Sequence, residues 1–204
     1  TVIGTVVTLL PTLSATAISP TARARCTRAL IVHCVGLSLA MALYAVGLTR
    51  VAGVAQLLVV LAAVLIIQPV LATVMGCSPR LTTATVAVIA GLLWMLALCA
   101  GDAISAAVGA YPRTITLILL PAFLGAGLLQ LVTGVLHHLL PILTGARPDT
   151  TERTGYARLL LINLGGLLTL LGATVAGLIM MGIGLAANVI AVGRAIYLQK
   201  RLES

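Results

Sequence analysis

The stretch VLHHLLPILTG, Val135–Gly145, sets two adjacent histidines and a proline inside an almost unbroken apolar run. Counted from Gln130, the residues Gly134, His137, His138 and Pro141 follow at i+4, i+7, i+8 and i+11, which puts all of them on one helical face. Pro141 has no N–H, so the carbonyl of His137 loses its helical donor and is offered to a polar partner. The remaining histidine, His33, lies about four residues into another apolar run, ~6 Å deep by helical rise. An imidazole from each of two helices can ligate a haem b axially or form part of a metal site. His33, His137 and His138 are therefore candidate cofactor ligands, for haem b or copper. The competing reading has them meeting lipid headgroups or bonding neighbouring helices.

Soft ligands lie at the same ends of their apolar runs. Cys26, Cys34, Met75 and Cys77 gather there, and Cys99 lies near the opposite end. Thiolate, thioether and imidazole suit Cu(I), yet no CxxC or MxxM spacing is present, and incidental cysteines are common in apolar helices. Gln56, Gln68, Asn163 and Asn188 are polar residues inside apolar runs, and bonding between helices is their default role. No nucleotide-binding motif, Ser-His-Asp set or carboxylate pair is present, so hydrolysis and phosphoryl transfer have no support and catalysis by this chain alone is not expected. Asp102 is read as a loop residue after an apolar run. Without a carboxylate deep in a span, proton-coupled transport is disfavoured.

Elements that carry these side chains must be membrane helices. Sixty-one per cent of the residues are hydrophobic and eight per cent charged, and apolar runs of span length recur along nearly the whole chain. The runs lack period-two alternation, which points to helices rather than a barrel. The expected fold is all-α, a polytopic transmembrane bundle of about seven spans forming one domain over 1–204. The spans fall near 1–18, 29–49, 51–77, 83–101 and 114–145, with two more in 158–198. That last stretch as one helix would be ~60 Å long, twice the hydrocarbon thickness. It is better folded as a hairpin turning near GATVAG, 172–177. Small residues at Ala173–Gly177 and Gly182–Ala186 suggest close packing of its two helices, with Gly53 less constrained near a span end.

Loop charges orient the chain. Seven spans place Arg23, Arg25, Arg28, Arg80, Arg147, Arg153, Arg158, Arg194, Lys200 and Arg201 on one side and only Arg50 and Arg113 on the other. Six spans would move the last three across and nearly erase the bias. The positive-inside rule then sets the N-terminus outside and the C-terminus in the cytoplasm of a bacterial plasma membrane. The net charge of +8 is a topology signal, not a sign of nucleic-acid binding. The chain opens TVIGTVVTLL, at or just before a helix, as expected for part of a longer product.

Several segments resemble one family. LLPAFLGAGLLQLVTGVLHHLLPILTG, through Leu119, Leu120, Pro121, Gln130, Gly134, Leu136, Leu139, Pro141 and Gly145, is similar to a helix of the polytopic membrane domain of actinobacterial multicopper-oxidase and nitrite-reductase-like proteins. GTVVTLLPT and RLLLINLGG resemble two further segments of that domain, in the same order. Ser-Tyr-like residues stand in the family where this chain has His137 and His138, so no family ligand is carried onto them. The resemblance implies the C-terminal part of that domain, in a copper or respiratory electron-transport system. Expected partners are the lipid bilayer, other membrane subunits and a fused or associated cupredoxin domain outside this chain. The alternatives are an accessory or structural subunit of a larger complex, or a copper or small-solute transporter or channel.

Overall fold

In the computed structural model, residues 20–77, 82–110, 112–143 and 153–203 are described. They form helices throughout: α1 (Pro20–Ala45), α2 (Thr49–Cys77), α3 (Thr83–Ala107), α4 (Pro112–Ala122), a π-helical segment (Phe123–Leu129), α5 (Gln130–Leu143), α6 (Arg153–Leu170) and α7 (Thr174–Glu203). Among the described residues, five stretches are long and apolar enough to cross a membrane: Arg23–Ala45, Thr49–Ala72, Thr83–Ala107, Ile115–Leu139 and Thr174–Arg194. Thr154–Leu170 is a shorter apolar helix. The protein is thus all-helical and suited to a bilayer. The expected first span, Thr1–Ile18, lies outside the described residues, and a count of seven does not follow from those that are described.

Residue size is distributed as a membrane solvent dictates. Alanine dominates the buried apolar positions, with Ala52, Ala103, Ala122 and Ala126 at 0% exposure. Many large side chains face outward, among them Ile31, Val35, Leu58, Leu65, Leu117 and Val175, while a smaller set that includes Ile66, Leu92 and Ile162 is buried. Water would penalise such a surface, whereas lipid does not, and small residues let helix backbones approach.

The chain divides into two compact units, one built from Thr1–Arg80 with Leu96–Leu117 and the other from Leu81–Met95 with Ile118–Ser204. In the first unit α1 packs along α2, and Gly53 of α2 meets the backbone of α3. A Cβ at Gly53 would lie 2.5 Å from the amide nitrogen of Ala107, so Gly53 is a tight contact, contrary to its expected freedom. In the second unit the π segment and α5 pack between the first half of α3, α6 and α7, around Ala126, Ile162 and Met181.

Tight turns share one geometry. Gly47, Gly109 and Gly172 have φ of 81°, 78° and 89° and close α1, α3 and α6 respectively. At each, the glycine N–H and the following N–H return to carbonyls of the last helical turn, as with Gly172 to Thr169 (3.3 Å) and Ala173 to Leu168 (2.9 Å). The stretch 158–198 is accordingly two helices, α6 and the main part of α7, joined at Leu171–Ala173. Gly177 packs there as its spacing suggests: a Cβ would lie 2.5 Å from the carbonyl oxygen of Gly165. Gly182 does not, since nothing lies within 4 Å of its Cβ position.

Candidate functional site

Pro121 and the glycines that follow shape the centre of the second unit. Proline withholds a donor from the helix, and Gly125 and Gly127 accept the wider π turn without side chains to accommodate. Those glycines are also close-packed, against the sulfur of Met181 and the side chain of Met95. The π segment ends at Gln130, whose N–H reaches the carbonyls of Gly125 and Gly127. Gln130 is 0% exposed, and neither its side-chain oxygen nor its nitrogen has a hydrogen-bond partner.

One to two turns further along α5 a small pocket opens in the second unit. Thr133, Gly134 and His137 of α5 line it with Thr83 of α3, Arg158 of α6 and Asn188 of α7, among others. The space is that of about one water molecule. Gly134 and Gly155 make it narrow, because they bring α5 and α6 against Ala87 and Thr83. Arg158 is buried; its Nε donates to Oδ1 of Asn188 at 2.7 Å and its Nη1 to Oγ1 of Thr154 at 3.2 Å. Thr133 donates back to the carbonyl of Leu129 at 2.9 Å. A buried guanidinium held by a neutral amide and hydroxyl can fix α6 against α7 in register and present polar groups to a small ligand. Deeper in the same unit, Nε1 of Trp94 donates to Oδ1 of Asn163 at 2.6 Å, and Nδ2 of Asn163 donates to the carbonyl of Leu159.

The first unit holds a second polar chain. Tyr44 donates to Oε1 of Gln56 at 3.0 Å, Nε2 of Gln56 donates to Oδ2 of Asp102 at 3.2 Å, and Thr116 donates to Oδ1 of Asp102 at 2.6 Å. Asp102 therefore does not lie in a loop. The helix expected to end near Gly101 continues to Ala107, and its true stop is Gly109. The carboxylate joins four helices through neutral donors.

Of the three candidate histidines, His33 belongs to the first unit, and His137 and His138 to the second. His33 is half-buried, with Nδ1 3.1 Å from the carbonyl oxygen of Val59. His137 lines the pocket, and His138 is half-buried beside it on α5. Among the described residues no group of three or more His, Cys, Asp or Glu side chains is placed to share a metal ion. Cys26 donates to the carbonyl of Ile66, and Cys34 is exposed.

No family model, curated protein or solved structure matches the chain.

Sequence reasoning passed over Arg158, counting it only as a loop charge. Its signal was its position directly before the apolar run LLLINLGG, with Thr154 one turn earlier on the same face. Its pairing with Asn188, thirty residues away, had no sequence signal.

Proposed function

We propose that this chain is an integral membrane module of a copper or respiratory redox system, acting through association with other components and not through chemistry of its own. The observation that carries the module reading is the use made of the polar side chains in the spans. Trp94–Asn163, Arg158–Asn188 and Tyr44–Gln56–Asp102–Thr116 each clip helices together inside one unit. Interhelical bonds of this kind contribute about 0.6 kcal/mol apiece and fix register. The redox association rests on the resemblance of Leu119–Gly145 to the membrane domain of multicopper-oxidase-like proteins. Its partners are then other membrane subunits or a cupredoxin domain. The topology that goes with it is seven spans in a bacterial plasma membrane, with 1–18 as the first, N-terminus outside and C-terminus in the cytoplasm. Chain alternation puts the three glycine turns on the outer side and the basic loops on the inner side.

Purification in mild detergent, with optical spectra and copper content measured on both the isolated chain and its complex, tests this reading. A redox centre in the complex and none in the isolated chain is the expected result. Stoichiometric haem or copper in the isolated chain, or a complex with no redox centre, overturns it.

A second reading, the histidine ligands, is favoured by one contact. A carbonyl only accepts, so the bond from His33 to Val59 makes Nδ1 the protonated nitrogen and leaves the lone pair on Nε2. Metal-ligating histidines are commonly held in this way. A Soret band lost in His33→Ala supports haem. A chain with neither a Soret band nor bound copper sinks the reading.

A further inference from the structure

Thr83 begins α3 and is only 8% exposed, yet its hydroxyl makes no hydrogen bond to any described residue. Its neighbours are occupied: Oγ1 of Thr82 lies 2.9 Å from Oγ1 of Thr85 and accepts the N–H of Thr85 at 3.2 Å. Thr83 lines the pocket of the second unit. Buried hydroxyls are nearly always bonded, so one that borders a cavity and bonds no protein group points to a ligand there. Asn188, on the same pocket, gives Oδ1 to Arg158, and its Nδ2 donates to no described residue.

The field at this pocket is positive from three sources. Thr83 and Ala84 belong to the first turn of α3 and Gly155 to the first turn of α6, so two helix N-termini meet there. They meet closely, since a Cβ on Gly155 would lie 2.6 Å from Cγ2 of Thr83. Each N-terminus carries the equivalent of about half a positive charge. The third source is the guanidinium of Arg158, itself 8% exposed, which also lines the space. No carboxylate is among the described residues that line it.

We propose that this pocket is a halide site that ordinarily holds chloride. The Thr83 hydroxyl and the Asn188 amide are its hydrogen-bond donors, and Arg158 with the N-termini of α3 and α6 is its counter-charge. Charge selects an anion over a cation or a neutral water. Size then selects the class: the space is that of about one water molecule, too little for a phosphate or carboxylate group. Bound there, the ion ties the start of α3 to α6 and α7.

The whole chain in phosphatidylcholine nanodiscs tests this, with chloride exchanged for gluconate at constant ionic strength. The melting temperature is expected to rise by a few degrees with chloride and to saturate, because a ligand of the folded state stabilises it by mass action. Thr83→Val keeps the side-chain shape and removes a hydroxyl that no protein group uses. The variant should therefore melt as the parent chain does in gluconate, and need at least about tenfold more chloride for the same rise. Chloride NMR line width, which broadens on exchange with a protein site, reads binding independently of stability and should narrow in the variant. Equal melting in chloride and gluconate overturns the proposal, as does a chloride response that Thr83→Val leaves unchanged. A loss of the same size in both salts assigns the pocket to water and overturns it too. Stabilisation by phosphatidylglycerol with none by chloride identifies a lipid phosphate at the mouth, and the halide site falls.

Discussion

At the scale of the residue, the same polar group can be a cost or a clip depending on one partner. Asn163 satisfies both ends of its amide, on Trp94 and on the carbonyl of Leu159, whereas Gln130 one helix away satisfies neither. Trp94 is the only tryptophan, so its emission reports its contact directly. Asn163→Leu should shift that emission and cost on the order of 0.6–1.7 kcal/mol in thermal unfolding. Unchanged emission would mean that the indole does not bond Asn163. Asp102 gives a graded test in the first unit. Asp102→Ala leaves Nε2 of Gln56 without its acceptor and removes one acceptor from Thr116, which should cost about 1–3 kcal/mol, while Asp102→Asn retains an acceptor and should cost less. Melting temperatures of the two variants in nanodiscs check the order, and equal losses would show that the carboxylate is not the hub.

At the scale of the element, glycine decides both where helices stop and how closely they pack, and the two uses make different predictions. Gly172 turns at φ 89° with nothing near its Cβ position, so Gly172→Ala should cost about 1–2 kcal/mol through backbone conformation alone. Gly177 and Gly53 instead face backbone at 2.5 Å, and alanine at either should cost about 1–3 kcal/mol by overpacking. Gly182 sits in an ordinary helix with open space, so Gly182→Ala should be neutral or stabilise by up to about 1 kcal/mol. Thermal unfolding of the four variants separates the classes. A loss at Gly182 matching that at Gly177 would contradict the packing of α6 on α7. Spacing predicted the role of Gly177 and misjudged Gly182, because a small-xxx-small pattern marks a face without naming what lies opposite; Gly53 was misjudged from its place near a span end, where α3 in fact packs against it.

At the scale of the whole molecule, the bilayer acts through charge and hydropathy. With seven spans, a reporter fused after Ser204 should be active only in the cytoplasm, and one inserted at Gly172 only outside. Both reporters on the same side would remove the hairpin crossing, and both reversed would invert the orientation. The sequence alone determined that the protein is helical and apolar enough for a membrane, since those properties follow from composition and run length, which are local sums. It also marked the turn near Gly172, because forty apolar residues cannot remain one helix in a hydrocarbon layer of ~30 Å. Only the tertiary structure could place Asp102 in a helix bonded to Gln56 and Thr116, pair Arg158 with Asn188, and leave Gln130 buried without a partner. Those facts depend on which faces meet between segments far apart in the chain. In apolar helices of nearly uniform composition, close packing of small residues sets those faces, and that complementarity is a property of surfaces that no single run of residues contains.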